Sequence, residues 1–204
     1  MFKNCKKQII IALKLLGLFS ILTGLIYPAV VTLFAQLLFP WQANGSLIEL
    51  SGEKIGSVLI GQSFTDPKYF WGRPSATTPF PYNGINSTGS NLGPSNPDFL
   101  ASIKDRSVLL RKLDPTNTKL IPVDLVTASG SGLDPEISPL SAFYQVSRIV
   151  KARNMLEADL TKLIQTFTTA RTFGILGEPR VNVLQINMAL DNLKRNNDRT
   201  TSKP

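Results

Sequence analysis

The 204-residue chain contains no histidine and a single cysteine, Cys5. Without an imidazole there is no Ser-His or Cys-His nucleophile pair, no histidine general base and no histidine-ligated zinc. One thiol excludes an intrachain disulfide, a CxxC redox pair and a thiolate metal cage. Charge is also missing over a long stretch. After Lys3, Lys6, Lys7 and Lys14 no charged side chain occurs from Leu15 to Ile48, and the first acid is Glu49.

That uncharged stretch holds the strongest signal in the sequence. Between Leu15 and Phe39 the clearly polar residues are Ser20, Thr23, Thr32 and Gln36. As a helix at about 1.5 Å per residue, this segment spans roughly 37 Å, enough for a hydrocarbon layer of about 30 Å with some tilt. A cleaved signal peptide shares the basic head, but its apolar core runs to about 7–15 residues and ends in a small-x-small site. The longer run here reads as a retained anchor. Lysines on the N-terminal flank, with no cation beyond until Lys54, place the N-terminus in the cytoplasm and residues from about 41 onward outside. Gly17, Ser20 and Gly24 recur at i, i+3 and i+7, a small face that lets another helix approach. Pro28 is expected to kink the helix, and Trp41 suits an outer interfacial position. The expected division is a cytoplasmic head over 1–14, a transmembrane helix over 15–39, an extracytoplasmic domain over 40–195 and a frayed tail over 196–204.

With the four head lysines set aside, 18 cations face 14 anions. That mixed balance gives no support to nucleic-acid binding. The segment from Gly61 to Phe99 carries 11 glycines or prolines together with seven aromatics, among them Phe70, Trp71 and Tyr82. Such density of Gly and Pro forbids long regular elements, whereas a disordered linker would be poor in aromatics; an ordered loop layer results. Strands are expected over Ile55–Phe64 and Ile121–Thr127. Helices are expected from Asn96-Pro97-Asp98, from Ser138-Pro139 to about Arg153, from a capping box at Asn154 and Glu157, and over Asn187–Leu193, with Arg180 onward briefly extended. The domain is therefore α+β with few, short strands behind one N-terminal transmembrane helix.

The Gly-rich run Ser129, Gly130, Ser131, Gly132 follows an expected strand, as phosphate-cradling loops do. It lacks the Gly-Lys-Ser/Thr ending and the GxGxxG spacing, and a tight turn explains it equally. Ser129 or Ser131 would need a lysine base, and no Ser-x-x-Lys occurs nearby. Asp124, Asp134 and Glu136 are close enough in sequence to hold a cation through oxygen, without EF-hand spacing. Some of Arg73, Arg148, Arg153, Arg171 and Arg180 are expected to staple loops, for instance to Glu178, and a solvated surface charge explains each equally.

Three blocks resemble one family. They are Gly61-Gln-Ser-Phe-Thr-Asp-Pro-Lys-Tyr-Phe-Trp-Gly-Arg-Pro-Ser75 continuing through Tyr82-Asn83 to Pro97, Pro122-Val-Asp-Leu-Val-Thr-Ala-Ser-Gly-Ser-Gly-Leu-Asp-Pro135 with Ile137-Ser-Pro139, and Leu176-Gly-Glu-Pro-Arg-Val-Asn-Val-Leu184 with Asn187 and Ala189-Leu-Asp191. Together they are similar to the C subunit of the Kdp potassium-importing P-type ATPase. The resemblance implies a bacterial inner-membrane protein without catalysis of its own or a tightly bound cofactor. It also implies assembly with a channel-like potassium-binding subunit, an ATP-hydrolysing pump subunit and a very small helical subunit, those partners handling potassium and Mg-ATP. The family is described as a catalytic chaperone that raises the pump subunit's affinity for ATP in a transient ternary complex. Weak candidates for ATP contact are Ser129, Gly130, Ser131 and Gly132; candidates for partner contact are Gly17, Ser20, Gly24, Trp71, Arg73 and Tyr82. Glu136 and Phe167 stand where the family pattern usually has His, which favours a structural role at both positions. The alternative is a free-standing anchored binding protein, for sugars for example, using Trp71 and Tyr82.

Overall fold

The computed structural model describes residues 2–50 and 52–201, with the side chains of 2–4 and 194–201 left out. It separates into two compact units, 1–55 and 56–204.

Unit 1 is dominated by an apolar helix. Helix α1, Phe2–Ile21, passes through one π turn, Leu22–Ile26, into α2, Tyr27–Leu38. Over Cys5–Leu38 its mean hydropathy is 2.4, and it is the helix long and apolar enough to cross a membrane. The expected kink at Pro28 takes the form of that π turn. Proline has no N–H for the carbonyl of Gly24 and its ring crowds it. Shifting to i→i+5 bonding just before the proline, with Tyr27 N–H donating to Leu22 O, relieves that crowding. Thr23 Oγ1 bonds back to Phe19 O at 2.7 Å. A short helix α3, Pro40–Ala43, and strands β1, Leu47–Leu50, and β2, Glu53–Ser57, follow.

Unit 2 contains the motif blocks. Helix α4, Pro97–Leu113, starts as the sequence predicts: Asn96 Oδ1 accepts from Asp98 N at 2.8 Å, with Pro97 in the first turn. Strand β3, Glu136–Ile137, leads to α5, Pro139–Tyr144, capped by Ser138 Oγ, which accepts from Ser141 N at 3.1 Å. Then come α6, Val146–Arg153, α7, Glu157–Phe167, β4, Thr168–Thr169, β5, Arg180–Asn182, and α8, Val183–Thr201. The small antiparallel sheet has the order β3-β5-β4, pairing Ile137 with Val181 and Thr168 with Val181. One core gathers Phe70, Ile149, Leu160, Ile164 and Ile186; a second gathers Trp71, Leu110, Leu125 and Tyr144. Phe70 and Trp71 are neighbours in the chain, and each anchors a different core.

Five expectations change. The single helix foreseen from Ser138-Pro139 to about Arg153 is two, α5 and α6, broken at Gln145. The strand foreseen at Ile55–Phe64 ends at Ser57, and Ser57 Oγ accepts from Leu59 N at 3.1 Å to turn the chain. Ile121–Thr127 is no strand: Val123–Leu125 forms a 3₁₀ turn after Pro122. Asn154 does not open the next helix. It closes α6 in the left-handed region at φ 50°, a conformation asparagine tolerates, and Leu156 precedes α7 without a side-chain cap. Helix α8 begins at Val183 rather than Asn187, because Asn182 Oδ1 accepts from Gln185 N at 3.1 Å and acts as the cap. Its backbone stays helical to Thr201; the last part of the expected frayed tail, 202–204, lies outside the described residues.

Candidate functional site

The loop layer is fastened by amide side chains where strands would otherwise supply a ladder. Asn187 on α8 takes both backbone groups of Phe70, accepting from its N–H at 2.8 Å and donating to its C=O at 2.9 Å. Gln145, at the junction of α5 and α6, does the same for Trp71, at 2.8 and 3.1 Å. All four backbone groups are thereby satisfied in a buried place, which requires both amides to be fixed. Trp71 is 4% exposed, and Arg148 and Arg106 both lie against its ring, their guanidinium carbons 4.8 and 4.9 Å from its centre. Arg148 donates to the carbonyls of Pro67 and Tyr69 and to Gln145 Oε1, and burial pushes its pKa down to about 10.

The next layer closes around Tyr82. Its hydroxyl donates to Arg73 O at 2.6 Å, and burial pushes its pKa up to about 12. A Cβ on Gly61 or Gly72 would lie within 2.4 or 2.5 Å of the Tyr82 side chain, so both glycines are needed for contact. Trp71 and Tyr82 therefore act from within the domain rather than as open stacking faces for a sugar.

The Gly-rich run is stitched to the same layer. Ser129 is buried and its N–H donates to Pro74 O; Ser131 Oγ accepts from Leu133 N; Gly132 O accepts from Ser75 Oγ at 2.7 Å. Gly130 packs on Gly89, where a Cβ would meet Gly130 O at 2.8 Å.

A groove of about 640 Å³ brings all three motif blocks together. Arg73 comes from the first, Asp134 and Glu136 from the second, and Glu178 and Arg180 from the third. Arg73 pairs with Asp134 at 3.2 Å and Arg180 with Glu136 at 2.9 Å; Arg171 pairs with Glu178 at 2.6 Å. Asp124 is spent on the start of α5, accepting from Ser138 N at 2.8 Å and from the Ser141 hydroxyl. Among the described residues no cluster of acids is arranged to hold a metal ion. Arg153, pairing with Asp191 at 2.7 Å, and Arg148 complete the set, so Arg73, Arg148, Arg153 and Arg180 tie segments together, while the Arg171–Glu178 pair stays largely in solvent.

The rim of this groove is apolar and open. Val123 and Leu140 line it with 70% and 72% exposure, and Leu120 follows beside Pro122. From Glu178 the chain leads back to a turn closed by the Thr172–Leu176 bridge, whose Phe173 is 88% exposed with φ 55°. A non-glycine residue held there, aromatic and in water, is an uncommon arrangement. Sequence reasoning missed this surface, because no local pattern around Leu120, Val123, Leu140 and Phe173 marks these apolar residues as exposed; the tertiary fold turns them outward.

A profile of the family described as "KdpC: K+-transporting ATPase, c chain" matches residues 9–192. The chain belongs to that family. Among its relatives, the "Potassium-transporting ATPase KdpC subunit" of Methylococcus capsulatus is 57% identical over 183 residues, covering 90% of this chain and 96% of that one. The protein of the same name from Paraburkholderia xenovorans is 53% identical over 193 residues, covering 95% and 99%. That from Burkholderia cenocepacia is 59% identical over 169 residues, covering 83% and 88%. For a KdpC family member, the helix Cys5–Leu38 suits a membrane anchor.

Proposed function

We propose that this chain is the non-catalytic accessory subunit of an ATP-driven potassium import complex. Its helix lies beside the transport core with the N-terminus in the cytoplasm, and the outer domain docks on the external face of the channel-like potassium-binding subunit. The ATP-hydrolysing pump subunit and a very small helical subunit complete the assembly. The observation that carries this reading is the convergence of three motif blocks on one groove whose charges are paired internally while its rim is apolar and open. A face of that kind offers little to a small charged substrate and much to another protein.

In this orientation the domain lies across the membrane from ATP. An increase in the pump subunit's ATP affinity, as the family is described, then acts through assembly or a coupled conformational equilibrium rather than through Ser129–Gly132. Two experiments test the proposal. In a strain lacking the chain, growth at low external potassium returns on re-expression; failure to do so removes the transport role. In a Cys5→Ser background, a cysteine placed near Lys203 reacts with an impermeant reagent in intact spheroplasts; reaction only after the membrane is opened reverses the topology.

A further inference from the structure

Arg106 is a charge that neither the groove nor the loop stapling explains. It sits on α4 with its guanidinium 4.9 Å from the Trp71 ring centre, and its Nε donates to Leu125 O at 3.2 Å. None of the ion pairs among the described residues includes it. Burial lowers its pKa from the usual guanidinium range. Arg148 lies against the same indole and also has no carboxylate partner. Two cations therefore share one aromatic platform and hydrogen-bond only to carbonyl and amide oxygens; Asp66 and Asp114 act on Arg148 from a distance, whereas Arg106 is paired with no carboxylate, an arrangement that favours an anion beside Arg106.

The two arginines differ in what they face. Arg148 is 5% exposed and spends its guanidinium on Pro67 O, Tyr69 O and Gln145 Oε1. Arg106 lines a cavity of about 490 Å³ between α4 and the segments 74–76 and 126–128. Its walls are largely apolar, through Phe99, Leu109, Leu92 and Val126, with Ser75, Ser90 and Ser102 as polar members. Asp105 also lines it, at an exposed position and without pairing to Arg106. One cation, one neighbouring carboxylate and hydrocarbon walls suit a single negative charge on an apolar body better than a dianion.

We infer that this cavity binds a small amphiphilic monoanion, an alkyl carboxylate in chemical class, with Arg106 as counter-ion and the Phe99, Leu109 and Val126 wall receiving the chain. The site is separate from the docking groove and does not depend on the proposed assembly.

The test uses the full chain in detergent in a Trp41→Phe background, which leaves Trp71 as the fluorescent reporter beside Arg106. Acetate, butyrate and hexanoate are titrated as sodium salts, with butanol, hexanol and inorganic phosphate in parallel. The expected result is a saturable change in Trp71 emission whose affinity rises about three- to fourfold per added methylene. Phosphate and the alcohols are expected to bind at least tenfold more weakly than hexanoate. Arg106→Gln should weaken hexanoate at least tenfold. Because Arg106 also supports Trp71, Ser102→Phe provides a second variant: one turn before Arg106 on the cavity-lining face of α4, it fills the cavity, leaves Arg106 in place and should also abolish the response. An absent or unsaturable response overturns the proposal, as does equal binding of alcohol and carboxylate or unchanged binding in both variants.

Discussion

Gln145 closes a two-bond ring on the backbone of Trp71, accepting from its N–H at 2.8 Å and donating to its C=O at 3.1 Å, while the same Oε1 also receives Arg148 Nη2 at 2.5 Å. One buried amide thus fixes the loop layer, the break between α5 and α6 and a buried guanidinium. Replacing it by Gln145→Leu leaves the N–H and C=O of Trp71 without partners and takes one acceptor from Arg148. The expected loss is about 2–4 kcal/mol, seen as a melting temperature lower by roughly 5–15 °C in a thermal scan. A drop of under about 2 °C would show that the amide ring is not what holds the layer.

Tyr82 sets a prediction for alkaline pH. Burial holds its phenol up to about 12 in the folded chain, whereas an exposed phenol titrates near about 10. Above that ordinary value the unfolded chain releases a proton that the folded chain retains. The contribution is therefore fully present below about pH 10 and is lost as pH rises from about 10 to 12. Denaturant melts of the native chain should show stability falling over this window. Tyr82→Phe should start less stable, lacking the bond to Arg73 O, yet fall less steeply. Equal slopes would mean that Tyr82 titrates normally.

The groove makes two contrasting predictions. Glu136 and Arg180 are each about one-third exposed, so Glu136→Gln removes a pair worth under about 1 kcal/mol. Melting temperature and low-potassium growth should both be nearly unchanged. Leu140→Asp alters an exposed rim residue, and stability should change by under about 0.5 kcal/mol. Its expected defect is in recovery of the complex, by tenfold or more. Should Leu140→Asp assemble as the native chain does, the rim is not the docking face.

Local signals were legible where one residue type permits one reading. Asn96-Pro97-Asp98 and Ser138-Pro139 started helices where their caps predicted, and the uncharged stretch after Lys14 forms a helix of membrane-spanning length. Asn154 and Asn182 were not legible, because asparagine serves equally as an N-cap, a strand member or a left-handed terminator, and neighbouring packing decides. The site divided in the same way. Arginine stapling was foreseeable from residue type, while the pairs Arg73–Asp134 and Arg180–Glu136 join positions remote in sequence and depend on the tertiary fold.

The anchor carries its own prediction. A Cβ at Gly17 or Gly24 would meet no atom of this chain, so a larger side chain is tolerated by the chain itself. If that face packs against a partner helix, Gly24→Leu separates the backbones while leaving insertion intact, since leucine suits the bilayer. A weakened complex and slower potassium uptake at low external potassium are expected, whereas Leu22→Ala on another face should have little effect. Equal defects from both would indicate general damage to the anchor.

The central claim is that this chain works only as part of a larger membrane complex. Purification through a tag on this chain in mild detergent, from cells grown at low potassium, tests it most directly. Recovery with large integral-membrane partners is expected, together with potassium-stimulated ATP hydrolysis that the chain alone lacks. Recovery as a lone monomer, free of such partners and with no effect on ATP hydrolysis when added back, would contradict it.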